Sequence, residues 1–128
     1  MTDIKTALDD LVGNQTMPLD EAADRHFSPH YRQRTNGVWD DRAGFIEHIA
    51  HLREVVASIT VDVLDELVDG RRYADRHLVT IRKGDGEQVV QEVYLFGELD
   101  EHGRFERVEE TTLMLSGSEA DRSLGNAK

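Results

Sequence analysis

Apolar residues recur at helical spacing through the first half of the chain. Ile4, Leu8, Leu11 and Val12 fall on one face, which predicts an opening helix. Thr2 or Asp3 is placed to cap it, and Gly13-Asn14 stops it. A second helix begins near Pro18, with Leu19, Ala22, Ala23, His26 and Phe27 sharing its apolar stripe until Ser28-Pro29. An extended piece, Tyr31 to Arg34, precedes a turn at Asn36-Gly37. The spacing of Phe45, Ile49, Leu52 and Val56, with Ile46 on the flank, predicts a third helix from Asp40 to Ala57. After Ser58 the period changes to two. Strands are expected over Ile59–Glu66, Tyr73–Lys83, Gln88–Leu99 and Phe105–Ser116. Their turns lie at Asp69-Gly70, Gly84-Asp85-Gly86 and Asp100–Gly103, with Gly103 suited to the left-handed position. Three helices followed by an antiparallel meander give an α+β fold, its helices on one face of a curved sheet.

Length and charge narrow the picture. The 128 residues form one domain, with a polar tail from Gly117 to Lys128 expected to pack loosely. The 15 basic and 26 acidic residues leave a net charge of -11, which argues against nucleic-acid backbones and anionic membrane surfaces as partners. The absence of cysteine excludes disulfides, thiolate metal sites and cysteine nucleophiles. Met1 to Lys5 shows no targeting pattern, and no apolar run approaches the roughly 20 residues of a membrane span. The cytoplasm is the expected compartment.

Strand register decides which side chains meet. Asp85-Gly86, read as a two-residue turn, puts Ile81 opposite Val90, Val79 opposite Glu92, His77 opposite Tyr94 and Asp75 opposite Phe96. A three-residue loop at Glu101–Gly103 then pairs Tyr94 with Glu110 and Phe96 with Val108. One face collects Tyr73, Asp75, His77, Val79, Ile81, Val90, Glu92, Tyr94, Phe96, Val108, Glu110, Thr112 and Met114. It is apolar and aromatic with ionisable groups set into it, the composition of a small-molecule pocket. A carboxylate there is poorly solvated, which favours proton abstraction, so Asp75 or Glu110 is the candidate base. His77 and Tyr94 are the candidate donors to a substrate oxygen. His26, Tyr31, Trp39, Phe45, His48, Tyr73, Glu92 and Phe96 are the candidate ligand contacts, although His26, Tyr31 and Trp39 also suit plain packing. The opposite face is mixed, and Leu78, Val93 and Leu95, rimmed by Arg76, Arg82 and Glu109, form a candidate dimer surface.

Other patterns point away from metals and phosphates. His48 and His51 diverge by about 60° on a helix and have no third ligand, so no metal is expected. Gly84-Asp85-Gly86 lacks a phosphate-loop pattern, and no Gly-x-Ser-x-Gly element is present.

Three stretches carry a resemblance: His26 to Gly37, Phe45–Ile49 leading to Leu52-Arg53, and Phe96 to Phe105. Together with the element order they resemble the nuclear transport factor 2-like superfamily, within its SnoaL-like group. The resemblance implies a cone, with a strongly bent sheet wrapped around three N-terminal helices and an apolar cavity open at one end. It implies no cofactor, a small hydrophobic ligand, and a homodimer built sheet to sheet. The superfamily holds isomerases, cyclases and dehydratases as well as non-catalytic domains. The resemblance therefore implies a cofactor-independent isomerase, cyclase or lyase, or else a binding or interaction domain. The isomerases' first-helix Tyr has no counterpart between Thr2 and Gly13, and the epoxide hydrolases' Asp–Arg–Asp set is not reproduced.

Overall fold

The computed structural model describes residues 1–122 and 124–126. Helix α1 (Ile4–Leu8) is capped by Asp3, whose carboxylate accepts from the Thr6 amide, and it widens into a π-helical turn at Asp9–Gly13. Helix α2 (Leu19–His26) runs directly into strand β1 (Phe27–Thr35). The extended piece is therefore longer than the sequence pattern suggests. Asn36 and Gly37 both take positive φ and turn the chain into β2 (Val38–Asp41). Asp41 caps α3 (Arg42–Val55) by accepting from the Gly44 amide at 2.9 Å. Strands β3 (Val56–Asp69), β4 (Arg72–Lys83), β5 (Gln88–Leu99) and β6 (Phe105–Ser116) follow as a meander.

The six strands lie in the order β2-β1-β6-β5-β4-β3. All pairings are antiparallel except β1 with β6, which makes the sheet mixed. Irregular pairing recurs near Ala57, near Leu64, between Phe27 and Arg32, and near Glu106 and Leu115. Each such bulge adds local bend and twist, curving the sheet over the helices. Ile4, Ala7, Leu11 and Val12 of the first helical segment are buried, as are Phe45, Ile49 and Leu52 of α3. They meet Tyr73, Ile81, Val93, Leu95 and Val108 on the sheet's inner face. Phe27, Tyr31 and Phe45 stack with ring centroids 4.7–4.8 Å apart and seal one end of the core.

Arg53 joins the helical layer. Its guanidinium donates to the carbonyls of Leu11 at 2.6 Å, Met17 at 2.8 Å and Asp10 at 3.3 Å. Asp10 and Leu11 lie in the last turn of the first helical segment, whose carbonyls have no onward amide to accept from, and Met17 lies in the link to α2.

The register of β5 differs from the sequence expectation. Gly84–Gly86 forms a three-residue loop, with Lys83 paired to Glu87 and Gly86 at φ 89°. Ile81 therefore meets Val89, His77 meets Val93, and Asp75 meets Leu95. The loop at Glu101–Gly103 forms as expected, with Gly103 at φ 77°, but a bulge at Glu106 shifts β6 by one residue. Glu110 consequently meets Leu95. The two one-residue offsets add to two between β4 and β6, so β6 slides by two residues and keeps its face, and only β5 is turned over. Val93 and Leu95 belong to the core, not to a dimer surface, while Glu92, Tyr94 and Phe96 lie on the outer face.

The tail packs more closely than its polarity suggests. Asp121 is buried against Lys83 at 3.0 Å, and Leu124 is buried in the core. Ser123, Ala127 and Lys128 lie outside the described residues.

Candidate functional site

Two rows of polar side chains run along the inner face toward one apolar interior. The first lies on β4 and the neighbouring part of β3. His77 Nδ1 sits 2.8 Å from Asp75 Oδ1, and the Tyr73 hydroxyl lies 3.3 Å from Asp75 Oδ2. The same hydroxyl bonds the Glu66 carboxylate and accepts from the Ile4 amide at 3.1 Å. The second row lies on β1 and β6. Tyr31 donates to Gln33 at 2.8 Å, Gln33 to Thr35 at 3.3 Å, and Thr35 to Glu110 Oε1 at 3.0 Å. Tyr31, Gln33 and Thr35 are buried because β1 alternates and its inward positions face α3.

His77 and Glu110 end these rows, and both line two small apolar pockets, voids of about 90 and 80 Å³ between helices and sheet. Leu8, His48 and Leu52 also border both. Tyr31 and Phe45 border one, and Gln91, Thr112 and Leu124 the other. Burial pushes the Glu110 carboxyl upward, and Asp75 adds to that, against the hydrogen bond from Thr35 and the nearby His77. Burial, with Glu110 beside it, also raises the Tyr31 phenol. With Nδ1 turned to Asp75, Nε2 is the His77 atom left to meet a ligand.

Asp75 stands behind His77. Its side chain is fully enclosed and borders neither void, so it orients the imidazole from the rear. A mouth of about 270 Å³ lies between β1, β2 and the tail, bordered by Gln33, Val38, Trp39, Asp40, His48, Gly125 and Asn126. Trp39 is half-exposed at this rim, with the Arg32 guanidinium 5.0 Å from its ring centre. His48 borders both the mouth and the interior. Leu124 and Gly125 roof the passage, and Asn126 donates to the Thr35 carbonyl at 3.2 Å.

The candidate residues therefore separate into groups. Asp75, His77, Glu110, Tyr31, Phe45, His48 and Tyr73 come together around the interior, and Trp39 stands at its mouth. Tyr94, Glu92 and Phe96 are not part of it, because β5 is turned over; Tyr94 bonds Glu92 on the outside. His26 lies elsewhere, its Nδ1 2.6 Å from Thr2 and its Nε2 2.6 Å from Asp10. Gln33, Thr35 and Gln91 escaped the sequence reading. Their signal was present in the alternation Tyr31-x-Gln33-x-Thr35 at the start of the sheet. Among the described residues no group of three His, Asp or Glu side chains could hold a metal ion. No helix among them is long and apolar enough to cross a membrane.

Comparison with solved structures decides the fold. AclR from Streptomyces galilaeus, a candidate hydroxylase, superposes with a TM-score of 0.68 at 14% identity, covering 97% of this chain and 85% of that one. This is the nuclear transport factor 2-like fold. A protein of that name from Exiguobacterium sp. 255-15 matches at TM-score 0.65 and 16% identity, over 84% of this chain and 98% of its own. A candidate SnoaL-like polyketide cyclase from Jannaschia sp. CCS1 matches at 0.61 and 16%, over 88% and 89%. In sequence, an uncharacterised protein of Schizosaccharomyces pombe is 29% identical over 101 residues, 79% of this chain and 77% of that protein. No family model matches the chain. The nuclear transport factor 2-like fold thus accounts for the curved mixed sheet and the helices packed on its inner face.

Proposed function

We propose that this chain is a small-molecule-binding SnoaL-like domain that carries out a cofactor-independent isomerisation, cyclisation or elimination on a small hydrophobic carbonyl compound. One observation carries the reading: His77 and Glu110 border the same apolar interior. Glu110, desolvated and steadied by the Thr35 hydroxyl, takes the proton beside the carbonyl. His77, held by Asp75, donates from Nε2 to the oxygen on which negative charge grows. Glu110 then returns the proton at another carbon or to the leaving group. The small volume suits a compact substrate, or a larger one that displaces Leu124 from the passage.

A thermal-shift screen against small carbonyl compounds, terpenoids, sterols and fatty acids tests the binding step. A ligand at 100 times its Kd adds about 2.7 kcal/mol of stability. Turnover on the compound so found should fall about a hundredfold or more in Glu110→Gln, with KM nearly unchanged. Unaltered turnover would remove Glu110 as the base. No shift with any compound would favour the non-catalytic alternative, a binding or interaction domain, which the division of the interior into two small voids supports.

We also propose a homodimer through the outer face of the sheet. Leu67, Phe96 and Leu113 are 73%, 60% and 54% exposed there, and Tyr94 lies among them. The double variant Phe96→Glu, Leu113→Glu should halve the native mass measured by light scattering. A native mass already that of one chain in the unaltered protein would overturn this.

A further inference from the structure

The β4 row does not end inside the protein. His77 and Tyr73 are 1% exposed and the Asp75 side chain is fully enclosed, whereas Glu66 is an exposed residue of β3. Asp75 and Glu66 are cross-strand partners, and Tyr73 bridges their carboxylates with a single hydroxyl. The hydroxyl accepts one bond from the Ile4 amide and keeps a second lone pair, while its one proton is shared between the two carboxylates. The proposed reaction uses only His77 and, behind it, Asp75. Neither Tyr73 nor Glu66 has a part in it.

We propose that His77, Asp75, Tyr73 and Glu66 form a proton relay that connects the apolar interior to solvent through the β3–β4 side of the sheet. The proposal rests on the proton-handling role given to His77. A proton arriving at Nε2 releases the one on Nδ1 to Asp75 Oδ1. A half-turn of the carboxyl group brings that proton to Tyr73. The phenol oxygen takes it and gives its own proton to Glu66, which loses it to water. One proton enters and one leaves. Asp75, Tyr73 and Glu66 regain their starting forms, and His77 is left protonated on Nε2. The same steps in reverse return a proton to Nδ1 as Nε2 gives its own to the substrate oxygen. Burial and the neighbouring Glu66 push the Tyr73 phenol far upward, so it passes a proton by exchange without ionising. Glu110 and His48 face His77 from β6 and α3, across the interior. Among the described residues no carboxylate or ammonium group apart from Glu110 borders the two voids. The relay is therefore the hydrogen-bonded way out of the site on the β4 side.

The test needs no substrate. In protein labelled with ¹⁵N-histidine, NMR measures how fast the Nδ1 proton of His77 exchanges with water. Glu66→Gln and Tyr73→Phe should each slow that exchange by about ten-fold or more, with the thermal midpoint of Glu66→Gln unchanged. A purely structural network predicts the opposite sign, because losing its hydrogen bonds loosens the site and speeds exchange. Unchanged or faster exchange in Glu66→Gln overturns the relay. Glu66 is exposed, so this variant folds even if Tyr73→Phe does not. Failure of the proposed chemistry would appear elsewhere, as undiminished turnover in Glu110→Gln.

Discussion

Glu110 shows how one carboxylate among 26 acidic residues acquires a distinct character. It meets the buried Leu95 across the strand pair and receives the Thr35 hydroxyl. Its neighbours on β6, Glu109 and Thr111, point outward. Burial raises its carboxyl, so the folded state holds a proton there more firmly than the unfolded chain does. The stabilisation this gives is complete below the unfolded value, about 4.3, and is lost as pH rises through the higher folded value. Glu110→Gln removes that loss. Its thermal midpoint should gain on the unaltered protein between pH 4 and pH 8, a window set about the ordinary glutamate value. Parallel midpoints across the range would show that the carboxyl is solvated. Asp121 behaves in the opposite sense. Lys83, chiefly, holds it below the usual range, so its contribution is present at neutral pH and fades in acid. Of the residues around the interior, Asp75, His77 and Glu110 were legible from strand alternation alone. Tyr94, Glu92 and Phe96 were misplaced because a single residue of register inverts a whole strand.

Element boundaries depend on contacts that periodicity does not encode. The three helical segments and the four strands of the meander were readable from their apolar spacing, but β2 was not. Phe27 and Val56 open strands where the spacing extended helices. The β4–β5 turn type was hidden because Asp85-Gly86 also fits a two-residue loop. The loop that forms places Gly86, not Gly84, at positive φ. Gly86→Ala should therefore cost about 1 kcal/mol or more, and Gly84→Ala should be near neutral, as read by urea denaturation. Equal costs would refute the three-residue geometry. The parallel place of β1 was likewise hidden, because nothing in residues 27–35 names a partner near residue 105. Arg53 is a further case. The helix pattern marks it only as a polar position, but it satisfies two carbonyls of the first helical segment and that of Met17 in the link to α2. Arg53→Ala should cost about 2–3 kcal/mol, and Arg53→Lys should recover only part of it.

For the molecule as a whole, the decisive contact is the tail on the mouth. Leu124 borders the larger void, while Lys83 and Asp121 pin the preceding turn to β4. Leu124→Ala should cost about 2 kcal/mol and join the void to the mouth. Stopped-flow fluorescence would then show faster entry of an apolar dye than in the unaltered protein. Equal entry rates would mean that ligands reach the interior by another route. The helical layer on one face of an antiparallel meander was legible because helix period gives way to strand period near Ser58; the cone was only what the family resemblance implied. The closure was not, because the tail's one large apolar residue sits in a polar sequence.

The parallel pairing of β1 with β6 also sets a timetable. Phe27 and its partner Phe105 stand 78 residues apart. At synthesis rates of about 5–20 residues per second, β1 leaves the ribosome some 4–16 seconds before the strand that covers it. During that interval Phe27 and Tyr31 have only the helices for shelter, and one long edge of β1 is open. The nascent chain thus spends seconds as a half-built sheet, and chaperone demand should fall on residues 27–35 above any other stretch.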